Sequence, residues 1–466
     1  MSPEIDISID EFDNKIDFIP TLYDINNSFN VIKTDNYNGI VGEEEARMVV
    51  FTNFILGEKP IILKGSRASG KSNTLKVVSM YARNPITIAS SSEKVYQRMN
   101  DLNGFSHFLI PEINKIHEKV LEMLKDFGEG EKHQYSFMNQ YKETETVIID
   151  AKPFITSIAD ENKNIDLLGD ELLSRMTVVR TDSSLKQNIA VIEEKFKRAE
   201  NPFYKKAISQ DQVNKYVKYV KNLPSIKNFS FIYPAGTAIR NAIPPLFTDS
   251  RRDTEKYLAN TYGITLFHYH NRMKLAALGK TYMLVTPEDM WYNHIIYQNI
   301  LLESSLKCGK IEATILEILK HLGDIEKFDK FHNKVKGLTV SEVHVELLRK
   351  NYTPTVESVT KYCNQLMQIG YVTKIEDTRP HRYYINPELK REYNLHIDWK
   401  EIVESCKKSV KQNFPRESDE YIGRFCGKEI WVINPFTGEK LNILDYKNSV
   451  VDTKVTEETL AEAIIP

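Results

Sequence analysis

Hydrophobic and polar positions divide the chain into stretches of different period. Residues 1–37 alternate acidic and apolar side chains among several Asn without a sustained period, and read as an N-terminal arm, not a domain. From Asn38 the pattern changes to a G-x-x-G turn at Gly39 and Gly42, then EEEARMVVFTNFIL with apolar residues at helical spacing, then the apolar run PIILKG, which predicts a buried strand. Strand-like runs recur at 86–89, 108–110, 147–149, 154–158 and 176–179, separated by helical stretches such as 111–127. The alternation predicts a mostly parallel α/β sheet over residues 38–200.

Three further amphipathic stretches, QVNKYVKYVKNL, TEKYLANTYGITLFHYHNRMKLAAL and PEDMWYNHIIYQNILL, predict an all-helical region at 201–305. Its aromatics Tyr216, Tyr219, Tyr257, Tyr262, Trp291 and Tyr292 read as core. His268 and His270 stand two apart, so on a helix they point to different sides and read as ordinary helix residues and not metal ligands. Residues 306–392 carry IEATILEILKHL, LTVSEVHVELLRKN and PTVESVTKYCNQLMQIG, then the β-like runs YVTKIE and HRYYIN. Three helices and a hairpin in that order predict a winged helix-turn-helix. Ser358, Lys361, Asn364 and Gln365 would then face outward toward DNA, while Val356, Val359, Leu366 and Ile369 pack inward; Lys374, Arg379 and Arg382 make the wing basic. Residues 393–466 mix a helix with Gly- and Pro-punctuated runs and a polar tail.

Composition narrows the functional classes. Of 466 residues, 41% are hydrophobic and 27% charged, enough to bury cores in about three domains. Lys plus Arg number 62 against 64 Asp plus Glu, a formal charge of -2, so no global basic field draws the chain onto nucleic acid and any DNA contact must be local. Cys308, Cys363, Cys406 and Cys426 form no C-x-x-C pair, which argues against a zinc ribbon or disulfide scaffold and for a reducing cytoplasm. The acidic start has no signal-peptide pattern and no apolar run approaches a membrane span.

The chemistry begins at GSRASGKS, residues 65–72, a G-x-x-x-x-G-K-S loop placed between a strand and a helix. Glycines let backbone N–H groups wrap phosphates, the lysine reaches the β and γ oxygens, and the serine hydroxyl holds Mg²⁺. Gly65, Ser66, Ser69, Gly70, Lys71, Ser72 and Asn73 are therefore the predicted contacts to ATP, with Ser72 on the metal. Hydrolysis needs a carboxylate that polarises water at a neighbouring strand end. Glu112, just past the run FLIP, is the candidate base; the bland alternative is that it opens the following helix.

The order of these landmarks resembles the AAA+ core of the minichromosome maintenance family of replicative helicases. Ile110-Pro111-Glu112-Ile113-Asn114-Lys115 is similar to the family's hydrophobic-Asp-Glu-x-Asp-Lys block, with Pro111 and Asn114 replacing two aspartates. Leu172-Leu173-Ser174-Arg175-Met176 resembles its arginine-finger motif, and Ser250-Arg251-Arg252-Asp253-Thr254-Glu255 its sensor-2 segment. The resemblance implies an ATP-hydrolysing homo-oligomeric ring, usually a hexamer, in which Arg175 and Arg252 act on the neighbour's nucleotide. It also implies a sensor-1 residue in FITSIADEN, which offers Thr156, Ser157, Asp160 and Asn162, with Asn162 assigned, and a hairpin lysine at Lys142 that grips single- or double-stranded DNA. The family's N-terminal oligonucleotide-binding domain has no counterpart in residues 1–37, as in divergent relatives from archaeal mobile elements or viruses. The resulting expectation is a cytoplasmic, nucleoid-associated DNA helicase or translocase partnering replication or mobile-element proteins. An ATP-dependent loader and an ATP-gated origin-binding switch are the alternatives.

Overall fold

The computed structural model describes residues 18–34, 37–65, 69–89, 102–138, 144–159, 169–182, 185–201, 208–240, 250–306, 310–323, 327–328, 334–350, 352–368, 370–375, 380–386 and 397–446. Five short apolar runs, β1 (Ile61–Gly65), β2 (Pro85–Thr87), β3 (His107–Ile110), β4 (Phe154–Ala159) and β5 (Thr177–Arg180), form one parallel sheet in the order β2-β3-β4-β1-β5. Side chains alternate between its faces. Ile61, Leu63, Leu109, Ile155 and Val179 enter one core, and Ile62, Phe108, Ile110, Phe154 and Ile158 the other. Burial on both faces explains the unbroken apolar runs of the inner strands β1 and β3, while β2 at the sheet's edge is part-exposed. Because every strand is parallel, the turns after β1, β3, β4 and β5 lie along one edge, with β4 between β1 and β3.

Segments before and after this sheet, within 18–34 and 397–446, fold onto its core. Helix Leu22–Ser28 carries a capping box between Thr21 and Asp24, and Leu22, Ile25, Phe29 and Ile32 are buried in the first core. Residues 19–34 are thus a wall of the core, correcting the expected arm. They also solvate a buried cation. Arg47 donates from Nε to Asn26 Oδ1 at 2.6 Å and from Nη1 to Asn30 Oδ1 at 2.7 Å, while burial pulls its pKa down to about 10. In the later segment, helices Trp399–Asn413 and Ser418–Phe425 contribute Trp399, Cys406 and Tyr421 to the same core. Asn26 donates to the Pro435 carbonyl at 2.8 Å, joining segments 409 residues apart in sequence.

The region expected to be all-helical is mixed. Helices Gln210–Asn222, Ser250–Phe267 and Pro287–Leu306 form, and Tyr216, Tyr219, Tyr257, Trp291 and Tyr292 are core residues with Tyr262 packed against them. Between them, strands Phe229–Ile232, Lys274–Ala277 and Lys280–Leu284 make a three-stranded sheet with the third in the centre. Helical spacing in TEKYLANTYGITLFHYHNRMKLAAL ran past the helix end because KLAA is apolar at both periods. A two-residue turn decides the matter: Leu278 and Gly279 both have positive φ, 52° and 70°, the twist that suits a hairpin. Asp289 ties helix to sheet, accepting from Arg272 Nε at 2.8 Å and Nη2 at 2.7 Å and lying 2.9 Å from His268 Nδ1. Burial works against this carboxylate's charge, but Arg272 and His268 outweigh it and hold the acid below its usual range.

Residues 310–385 place helices Lys310–Leu322, Val340–Arg349 and Val356–Gln368 over a small antiparallel sheet of Leu338–Thr339, Arg382–Ile385 and Val372–Ile375. Val359, Cys363 and Leu366 are buried there, whereas Val356, expected inside, is 46% exposed at the first residue of its helix.

Candidate nucleotide site

The glycine-rich loop leaves β1 and enters helix Lys71–Ser79 through Gly70, whose φ of 85° is open to glycine at no steric cost. The first N–H groups of this helix have no intrahelical partner, the arrangement that attracts anions. Lys71 is buried, donating from Nζ to the Gly65 carbonyl at 2.8 Å and to Ser69 Oγ at 3.2 Å. Ser69 also accepts from Thr181 Oγ1 at 2.7 Å, and the Thr181 N–H donates to the Lys64 carbonyl at 2.9 Å. Thr181 therefore clamps the loop from the end of β5, a role that sequence alone gave no signal for. A Cβ on Gly65 would sit 2.0 Å from Thr181 Oγ1, so the cradle closes around a missing side chain. Ser72 is exposed at the second helical residue, where its hydroxyl is available to a metal. Asn73 is turned away, donating to the Gly39 carbonyl at 2.9 Å, and so braces the loop helix against the preceding turn instead of facing a nucleotide.

Glu112 stands two strand positions from β1 at the same edge, roughly 10 Å away at ordinary strand spacing. It precedes a three-residue turn, Ile113–Lys115; the α-helix starts only at Glu118, where His117 Nδ1 accepts from the Lys119 N–H. The helix-opening alternative is therefore set aside, because the helix begins a turn later than 111–127 suggested. The Glu112 carboxylate is half-exposed, 3.0 Å from Lys115 Nζ. Its peptide is anchored by Ser157 Oγ, which donates to the Pro111 carbonyl. Ser157, one of the four residues considered in FITSIADEN, thus links the end of β4 to the end of β3.

The two arginines meet at the other edge. Arg175 precedes β5, whose first residue Thr177 pairs with Ile61, so it lies at least about 13 Å from its own loop. Its guanidinium donates to the Lys125 carbonyl at 3.2 Å and to Glu129. Arg252, exposed on helix Ser250–Phe267, donates to Ser174 Oγ, so the start of that helix and the Leu-Leu-Ser-Arg segment share one surface.

Among the predicted DNA contacts, Lys361 is exposed and Lys374 half-buried. Arg382 is turned inward, donating to the Gly337 carbonyl at 2.8 Å and to Glu342 at 3.3 Å, so it braces its own domain. Ser66, Asn162, Lys142 and Arg379 lie outside the described residues. No helix among the described residues is long and apolar enough to cross a membrane. No protein-family model matches the chain, and no curated protein matches it in sequence.

Proposed function

We propose that the protein is a ring-forming AAA+ ATPase that hydrolyses ATP between subunits to translocate on or unwind DNA. The observation that carries this reading is the shared edge of the parallel sheet: a glycine-rich loop with a buried lysine after β1 and a half-exposed carboxylate two strands away after β3. Gly65, Gly70 and the helix N-terminus fit a triphosphate, Lys71 would neutralise its β and γ oxygens, and Ser72 would hold Mg²⁺. Bound there, the metal would supply charge stabilisation at the phosphate oxygens. Glu112 would orient and deprotonate water from the neighbouring strand end, with Ser157 fixing its peptide. Arg175 and Arg252, facing away from their own loop on a common surface, suit a neighbour's site. The helices and small sheet of 310–385 suit a winged helix-turn-helix, with Lys361 and Lys374 directed to DNA. A loader that hydrolyses slowly is the second reading, favoured by Pro111 where an aspartate would assist the metal.

ATPase activity measured with and without single-stranded DNA, alongside displacement of a forked duplex, tests the assignment. Wild type should turn over ATP faster on DNA and displace the strand. Glu112→Gln should bind ATP normally but lose about 10²-fold or more in turnover. Turnover that ignores DNA and displaces nothing would favour the loader; full activity in Glu112→Gln would remove the catalytic assignment.

A further inference from the structure

At the edge of the sheet opposite the glycine-rich loop lies a cleft of about 190 Å³. Its lining gathers the starts of three strands: Arg83 before β2, Ser106 and His107 at β3, and Lys152 before β4, with Lys227 crossing from the turn ahead of Phe229–Ile232. The cations are anchored by neutral backbone. Arg83 donates to the Leu223 carbonyl, Lys152 to Asn103 O at 3.1 Å and Lys227 to Ala151 O at 3.1 Å. Carbonyl oxygens fix these side chains without cancelling their charge. Among the described residues lining the cleft, Glu58 is the one carboxylate, 3.7 Å from Lys227 and accepting from Ser225 Oγ at 3.2 Å. Asp150, outside the lining, also acts on Lys152 and Lys227, so three positive groups face two carboxylates and the cleft keeps a positive balance.

Two neighbours register that field. Burial, with Arg83 and Lys227 adding to it, pushes His107 down to about 4, and its ring nitrogens are taken up by Ser106 Oγ at 2.8 Å and the Phe54 carbonyl at 3.2 Å, so it borders the cleft as a neutral wall. Burial and then Lys227 likewise lower Lys152 from the usual ammonium range. An anion seated among the cations would relieve their mutual repulsion. The volume equals several waters at about 30 Å³ each, enough for a tetrahedral oxyanion. The ammonium groups and guanidinium supply the charge-assisted donors that such an anion takes.

We propose that this cleft binds a phosphate group, carried by a nucleic-acid strand or by a free phosphate ester, at a site separate from the glycine-rich loop. Only the strand source rests on the DNA-translocating function proposed above. The test uses the full chain in a Lys71→Ala background, which removes the loop's own phosphate affinity. Inorganic phosphate, against chloride at equal ionic strength, should raise the melting temperature of this protein. Lys152→Gln with Lys227→Gln should abolish the rise, and the paired Arg substitutions should keep it.

A twenty-nucleotide thymidine strand provides the second arm. Its affinity should fall about tenfold in the Gln pair, and the dependence of log affinity on log salt should flatten by about 1.4, twice the single-strand value per phosphate contact. Loss confined to the oligonucleotide assigns the strand as ligand; loss confined to inorganic phosphate assigns a free ester; both uphold the site. A Lys71→Ala protein with Lys152 and Lys227 intact that binds phosphate but no oligonucleotide upholds the cleft and removes the DNA function. Failure of both ligands to bind the Lys71→Ala protein, or unchanged binding of both in the Gln pair, overturns the proposal. Should the Gln pair not fold, phosphate should protect Lys152 and Lys227 from acetylation, and equal labelling with and without phosphate overturns it.

Discussion

At Gly65 one methyl group separates a working loop from a blocked one. An added Cβ would lie 2.0 Å from Thr181 Oγ1 and 2.9 Å from Ser69 Oγ. Thr181 has little freedom to withdraw, since its N–H is bonded to Lys64 and its hydroxyl to Ser69. Gly65→Ala should therefore destabilise the fold by about 1–3 kcal/mol, the range for overpacking. It should also weaken Mg·ATP binding at least about tenfold, since loop and clamp must part. Thr181→Ala in the same chain removes the nearest atom and should recover most of the affinity in a fluorescence titration. Equal affinity in Gly65→Ala and wild type would show that the loop reshapes freely. Glu112 presents the opposite case. Half-exposed, with Lys115 as its ion-pair partner, it should tolerate Gln within about 0.5 kcal/mol of stability, so lost turnover there reflects chemistry and not unfolding.

Among the elements, those with a single dominant period were legible in sequence. The runs of the central sheet and the helix after the glycine-rich loop form where expected, whereas the run at 147–149 lies outside that sheet, in Thr144–Ile149 paired antiparallel with His133–Met138. Elements that share periods were not. KLAA fits a helix as well as a strand, and its strand exists because a two-residue turn pairs it antiparallel with Lys280–Leu284, which is itself held in parallel by Phe229–Ile232. Side-chain direction was least legible: Arg382 and Asn73 sit at the expected positions yet bond to Gly337 and Gly39, backbone carbonyls that only the tertiary fold brings near. The turn itself carries a prediction. Leu278 is 81% exposed at φ 52°, a conformation that costs a branched side chain energy and gains nothing from burial. Leu278→Asn would make the Asn-Gly pair that such hairpins prefer, and should raise stability by about 0.5–1 kcal/mol in urea denaturation. A loss of stability would show that Leu278 is held by contacts with a partner.

On the scale of the whole molecule, the sheet separates the two halves of the proposed catalytic machinery. Lys71 and Glu112 lie at the carboxyl edge of the strands, while Arg175 lies before β5 and Arg252 reaches Ser174 beside it. One subunit cannot bring both to one phosphate, so the proposed site would be completed by a head-to-tail neighbour, a geometry that closes into a ring where the rotation between subunits closes. Mixing decides it. Arg175→Ala should retain ATP binding but lose about 10³-fold in turnover, and Lys71→Ala should lose binding outright. Neither variant alone has a complete site. In an equal mixture of dissociated and reassembled subunits, a loop from an Arg175→Ala subunit meets an arginine from a Lys71→Ala subunit at about a quarter of interfaces. Activity should therefore return to as much as about a quarter of wild type if each interface fires independently, and to less if the ring must fire in sequence. If Arg175 served its own loop, no mixture would contain an intact site and activity would stay at the level of the two variants. Recovery in the mixture thus reports the subunit arrangement directly, without requiring DNA, and separates a failure of ring catalysis from a failure of the DNA function.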